Sequence, residues 1–193
     1  MSITVQVAGP QHFIYANDIC QVMADAALVR GTGIAKRKPD YVRDKMREGK
    51  AIIATSNDNR LAGFCYIEHW EGRKFVANSG LIVHPDFRGL GLAKQIKSAT
   101  FQLSRKRYPN AKLFGITTSP AVMHINTDLG YRPVPLYELT TDQAFWKGCA
   151  SCPNYDILQR TDQRMCLCTG MICDFSKLPP TDSSTHQSST DHE

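Results

Sequence analysis

VHPDFRGLGLAKQI, residues 83–96, decides how the rest of the chain is read. An apolar run, Ser79-Gly80-Leu81-Ile82-Val83, ends at His84-Pro85, and Arg88-Gly89-Leu90-Gly91-Leu92-Ala93 leads into a helical pattern that reaches Arg107. The stretch is a strand handing over to a helix across two glycines and an arginine. A helix start offers unpaired backbone N–H groups and the positive end of the macrodipole. Glycines there let a phosphate approach the backbone. The spacing is neither that of a Walker loop nor G-x-G-x-x-G, so both nucleotide-binding fingerprints are absent.

Outward from this loop the periodicities predict the order β-α-α-β-β-β-α-β-α-β. Ser2 to Val7 is a strand, and residues 12–29 carry a helical face on Phe13, Ile14, Ile19, Val22, Met23, Ala26 and Leu28. Pro39 opens a second helix to Glu48. Residues 51–55, 60–69 and 75–83 are hairpin strands separated by Asn57-Asp58-Asn59 and Glu71-Gly72-Arg73. After the helix from Gly91 come a strand at 112–117, a helix at 120–129 and a strand at 131–136. The pattern implies an α/β fold with a mixed sheet, forming one domain over residues 1–138. Residues 139–175 are cysteine-rich without clear periodicity and read as an extension. Residues 176–193 have almost no apolar content and read as a disordered tail.

The pattern Arg-x-x-Gly-x-Ala at 88–93, after an apolar strand ending Val-x-Pro, resembles the acetyl-CoA motif of the GNAT superfamily of N-acetyltransferases. LGYRPV at 129–134 is similar to the family's Leu-Gly-Phe signature, and the resemblance spans about residues 3–137. It implies a mostly antiparallel twisted sheet flanked by helices and splayed at the cofactor strand. It also implies acetyl-CoA as cosubstrate. Residues Arg88, Gly89, Leu90, Gly91, Leu92, Ala93 and Lys94 would wrap its pyrophosphate, with Lys94 or Lys97 neutralising charge. The main chain of Leu81, Ile82 and Val83 would bond the pantetheine arm, with an amide near Ile82 or Val83 facing the oxyanion.

An amine attacking a thioester needs a base, and the leaving thiolate needs an acid. Many family members place a tyrosine four residues before the signature glycine. Here that position is Asn126, a candidate to contact the sulfur, with His124 and, more weakly, Tyr131 as substitutes. The family's strand glutamate is also missing, which leaves Glu68, His69 and Glu71 as candidates acting through water.

The formal net charge of +5 is concentrated. Residues 30–50 hold eight basic and three acidic side chains, so the rest of the chain sums to zero. In the family this segment lines the acceptor site. Arg30, Lys36 and Arg37 there suit an acceptor bearing carboxylates, because arginine pairs with carboxylate bidentately. TTSPAVMHINTDLGY at 117–131 is loosely similar to amino-acid acetyltransferases of arginine biosynthesis, which points to glutamate. A different acyl donor, such as succinyl-CoA, would use the same cradle.

Cys149-x-x-Cys152 and Cys166-x-Cys168 have a spacing that can close a tetrahedral zinc site, with Cys173 as an alternative ligand. Cys20 and Cys65 read as packing residues, and Phe145, Trp146 and Tyr155 as docking residues for the extension. The competing reading is a degenerate acyltransferase fold whose basic segment and zinc knuckle bind nucleic acid or protein. Only Tyr41 interleaves aromatic character with the 30–50 charges, which disfavours nucleic acid. No run approaches the ~18 apolar residues of a membrane span, and MSITVQVAGP lacks signal-peptide character. A cytoplasmic protein is expected. Homo-oligomers are left open.

Overall fold

A computed structural model of the 193-residue chain describes residues 2–31 and 36–179. The predicted order is present: β1 (Ile3–Val7), α1 (Ala16–Arg30), α2 (Pro39–Arg47), β2 (Ala51–Ser56), β3 (Leu61–Trp70), β4 (Phe75–Val83), α3 (Leu92–Arg107), β5 (Lys112–Thr117), α4 (Pro120–Asp128) and β6 (Arg132–Val134). Two short helices follow, α5 (Gln143–Lys147) and α6 (Tyr155–Arg160), and then β7 (Thr169–Asp174). One seven-stranded sheet runs β1-β2-β3-β4-β5-β7-β6, antiparallel throughout except for the parallel β4–β5 pair.

The segment expected to be an extension therefore supplies β7, which lies between β5 and β6. The six-residue run TGMICD alternates its burial between two cores, with Met171 and Cys173 on one face and Ile172 on the other. Its brevity and the surrounding cysteines hid this pattern. The expected disordered tail begins inside structure, since Phe175–Lys177 forms a 3-10 turn, and residues 180–193 lie outside the described residues.

Each sheet face is covered. Helices α1 and α2 place Ile19, Met23, Val42 and Met46 on Phe64 and Tyr66 of β3. On the opposite face α3 buries Leu92, Ile96, Lys97, Thr100, Phe101 and Ser104 along one stripe. Burying an apolar side chain of this size contributes roughly 1.5–3 kcal/mol. The α3 hydroxyls are satisfied locally, Thr100 Oγ1 donating to Ile96 O at 2.8 Å and Ser104 Oγ to Thr100 O at 2.8 Å. As expected from its sequence, the final segment docks through aromatics. The ring centroids of Phe145 lie 4.9 Å from Phe114 and 5.1 Å from Trp70, and Trp146 Nε1 donates to Thr140 O at 2.8 Å.

Candidate active site

The sheet opens at β4. Phe64 pairs with Ile82, but Tyr66 pairs with Ser79, so β4 carries one extra residue opposite Cys65. Gly80 fills this bulge at φ 65°, where a Cβ would meet Tyr66 and Met23 at 2.5 and 2.7 Å. On its other edge β4 pairs with β5 only at Phe75–Ala77. Beyond Ala77 the two parallel strands diverge, which is the splay the sequence resemblance implied.

At the end of β4, Pro85–Phe87 makes a 3-10 turn, and Gly89 and Gly91 take φ of 80° and 70°. Gly91 is the N-cap of α3 and supplies no capping side chain. Its carbonyl accepts from Lys94 N at 3.2 Å and Gln95 N at 3.3 Å, leaving the preceding amides without an intrahelical carbonyl. Arg88, Gly89, Leu90 and Gly91 are exposed, Leu92 is buried as the anchor, and Ala93 is half-buried. Lys94 is exposed and pairs with Asp128 of α4 at 2.9 Å. The arrangement can receive an anion on backbone N–H groups.

A cavity of about 450 Å³ passes through the splay. Asn78, Ser79, Gly80 and Leu81 line one side, and Gly115, Ile116, Thr117 and Thr118 the other. Trp70, Phe145, Trp146, Leu136 and Leu158 supply apolar wall. The charged lining among the described residues is Arg37, Lys97 and Glu68.

Four lining side chains, Arg37, Tyr41, Tyr66 and Glu68, lock together on the α1–α2 face. Arg37 Nε donates to Tyr66 Oη at 2.7 Å, and Arg37 Nη2 lies 3.6 Å from Glu68 Oε2. Tyr41, from α2, donates its hydroxyl to Glu68 Oε1. The Arg37 guanidinium also stands 5.1 Å from the Tyr41 ring centroid. Burial first, and then the Glu68 carboxylate, push both tyrosine hydroxyls well above the usual phenol range, so they remain proton donors. Glu68 is paired across the ladder with Ala77, the last β4 residue to reach β5. Its carboxylate thus stands at the edge of the opening. Tyr66 escaped sequence reading because an aromatic in an apolar pattern looks like core, and Tyr41 stands out in the sequence only as an aromatic among the 30–50 charges. The alternation 64, 66, 68 on one strand face was the available signal.

The other candidates lie elsewhere. His69 follows Glu68 on the strand and so points to the opposite face, exposed and 5.7 Å from the Tyr108 ring centroid. His124 is on the exposed side of α4 and does not line the cavity. Asn126 is 2% exposed, faces the core with Nδ2 3.5 Å from Met171 Sδ, and leaves Oδ1 without a hydrogen-bond partner. Glu71 clips the β3–β4 turn to Thr140 Oγ1 and Thr141 N, both at 2.7 Å, and those bonds hold its carboxyl below the usual range. Lys36 is exposed, and the Arg30 side chain lies outside the described residues. Lys97, expected near phosphate, is instead buried in the cavity wall.

Cys149, Cys152, Cys166 and Cys168 all line the cavity. Among the described residues no three His, Cys, Asp or Glu side chains converge on a point that could hold a metal ion. Cys149 sits in a 3-10 turn that Cys152 closes, while Cys166 and Cys168 lie in the loop before β7. Burial first, and then the neighbouring thiols, push Cys149 up to about 11 and Cys168 up to about 12. Cys149 and Cys168 are therefore neutral thiols in the cavity wall.

Residues 20–122 match the model of the acetyltransferase (GNAT) family, more than half of the chain. A search of curated proteins found no match. Among solved structures, N-acetylglutamate synthase from Neisseria gonorrhoeae, complexed with coenzyme A and N-acetyl-glutamate, is similar with a TM-score of 0.63 and 12% identity, over 91% of this chain and 35% of that one. The chain thus spans about a third of that synthase. The yncA protein of Salmonella typhimurium, with acetyl-CoA, gives 0.62 and 15%, over 95% and 100% of the two chains. Phosphinothricin acetyltransferase from Sinorhizobium meliloti, with acetyl-CoA, gives 0.60 and 13%, over 95% of each. At these identities the likeness shows the fold. No helix among the described residues is long and apolar enough to cross a membrane. The family match covers α1 through the start of α4, the β4 bulge and the glycine loop included, and on it the chain belongs to the GNAT acetyltransferases, enzymes that draw the acetyl group from acetyl-CoA.

Proposed function

We propose that the protein transfers the acetyl group to the α-amine of an acidic amino acid, glutamate being the best fit. The observation that carries this reading is Arg37. Its Nε is committed to Tyr66, while its contacts to Glu68 at 3.6 Å and to Lys36 O at 3.5 Å are long. The outer guanidinium edge is thereby presented to a carboxylate already oriented. Two cations and one carboxylate line the cavity among the described residues, a balance that favours an anionic guest. The structurally similar gonococcal synthase is complexed with N-acetyl-glutamate, which supports the same class.

In this reading the pyrophosphate sits on the amides of residues 89–93, the Arg88 amide being engaged by Pro85 O at 3.2 Å, and Lys94 lies beside it. The pantetheine arm follows the open edge of β4 along Leu81, Ile82 and Val83, and the thioester reaches the splay. Arg37 holds the side-chain carboxylate of the acceptor. Glu68, fixed by the Tyr41 hydroxyl, takes the proton that the attacking amine sheds. Purified protein, acetyl-CoA and an equimolar mixture of amino acids, read by mass spectrometry, test this. N-acetylglutamate as the dominant product is expected. Acetylation of a neutral or basic amine instead would overturn the acceptor assignment.

A further inference from the structure

The geometry points to Lys97 as the proton donor to the sulfur that leaves when the thioester is cleaved. This rests on acetyl transfer from a CoA thioester and is independent of the acceptor.

Lys97 is 2% exposed and lines the cavity. Its neighbours in the buried stripe of α3 have partners: Thr100 and Ser104 bond back to the helix, and Asn78 Nδ2 donates to Ser104 Oγ at 2.7 Å. Its ammonium has no hydrogen bond or ion pair among the described residues. Lys97 Nζ stands 5.2 Å from the centroid of the Tyr131 ring. A bare buried cation is costly, and nothing in the fold's architecture uses this one as a strut. The titratable groups facing it are Cys65 from β3 and Tyr131 from the turn into β6, both pushed up by burial and so neutral. Burial lowers Lys97 itself to about 8, a value at which it can both hold and release a proton near neutral pH.

Its place in the fold supplies the rest. Cys65 Sγ lies 3.4 Å from Ser79 O, so the ammonium approaches the β4 opening from the α3 face. Glu68 approaches it from the α1–α2 face. The cavity through the splay joins the two. Other donors on the α3 face are engaged or turned away: Tyr131 Oη is 3.4 Å from Asn78 Oδ1, and Asn126 faces Met171.

In the step, the amine nitrogen bonds to the thioester carbonyl carbon and sheds one proton to Glu68. The C–S bond then breaks, and the departing sulfur takes a proton from Lys97 Nζ. Products are the amide, the CoA thiol, a neutral lysine and a protonated glutamate. Exchange with water resets both side chains.

Two measurements test the assignment. The first needs no acceptor: affinities of CoA and of desulfo-CoA, which lacks the sulfur, for wild type and Lys97→Met near pH 8. Wild type is expected to prefer CoA by about threefold or more, and the variant to lose that preference. An equal ratio in both proteins would overturn the assignment whatever the acceptor is. The second is turnover with glutamate. Lys97→Met is expected to lower kcat about 100-fold with little change in the KM for acetyl-CoA, to lose the alkaline limb near pH 8, and to be partly rescued by a thioester with a more acidic leaving thiol. Full acetyl transfer by the variant, or loss confined to an acyl donor with its own carboxylate such as succinyl-CoA, would overturn it. A wild type inactive toward glutamate would count against the acceptor reading alone, and the first measurement would still decide on Lys97.

Discussion

Arg37 Nε donates a 2.7 Å hydrogen bond to Tyr66 Oη, tying the basic segment before α2 to the middle of β3. Tyr66 is 2% exposed and pairs with Ser79, next to the bulge that opens the sheet. Arg37, the residue proposed to hold the acceptor's carboxylate, is thereby anchored to the strand that borders the opening of the sheet. Positioning of this kind limits the entropy lost when substrates meet.

Glu68→Gln keeps the size of the side chain and an oxygen to accept from Tyr41, but cannot take a proton. A fall in kcat of about 100-fold or more is expected, with acetyl-CoA binding unchanged by calorimetry. Retention of near wild-type turnover would remove Glu68 from the proton path.

Gly80→Ala places a Cβ on Tyr66 and Met23 at a backbone φ that disfavours side chains. Strain and overpacking together are expected to cost about 2–4 kcal/mol. Because the bulge aims the open edge of β4, acetyl-CoA affinity should fall as well. Denaturant melts and calorimetry on the same protein check both effects.

Lys97 carries a stability cost with a defined pH window. Its pKa drops from 10.5 to about 8 on folding, so between those values the unfolded chain binds more protons than the folded one. Its penalty is full below pH 8 and is relieved as pH rises toward 10.5. Lys97→Met should therefore be more stable than wild type, by on the order of 3 kcal/mol at pH 7, with the gain shrinking through that window. Chemical melts at pH 7, 9 and 10 measure it. A Met variant no more stable at pH 7 would contradict the burial of an unpaired cation.

Cys149 and Cys168 should react slowly at pH 7, because burial and the neighbouring thiols keep them protonated. Maleimide labelling followed by peptide mass spectrometry should show them protected further by acetyl-CoA plus glutamate. Exposed Lys36 is a control site for an amine reagent. Unprotected cysteines would place the acceptor elsewhere.

The sequence was informative where a local pattern carries the chemistry. Gly89 to Ala93 follow from the need for bare amides and glycine dihedrals at one helix start, and the strand order through Val134 follows from periodicity. It was silent where the chemistry depends on distant pairing. Glu68 and His69 are adjacent and equally suited by type, and only the strand's alternation sends one into the cavity and the other to solvent. Two cysteine pairs at ligand spacing suggest a metal, yet no group of three or more side chains able to hold one is found among the described residues. Lys97 looked like one more basic residue near a phosphate loop, and its burial depends on how α3 rolls onto β3 and β4. Residues 169–174 were unreadable as a strand until the sheet supplied neighbours on both edges.

The most direct test of the acceptor reading is the ratio of kcat/KM for glutamate over glutamine, in wild type and in Arg37→Gln. Wild type should favour glutamate, and the variant should lose about tenfold or more of that preference, the equivalent of one good charged contact. A ratio unchanged by the substitution, or a wild type that prefers glutamine, would contradict the account.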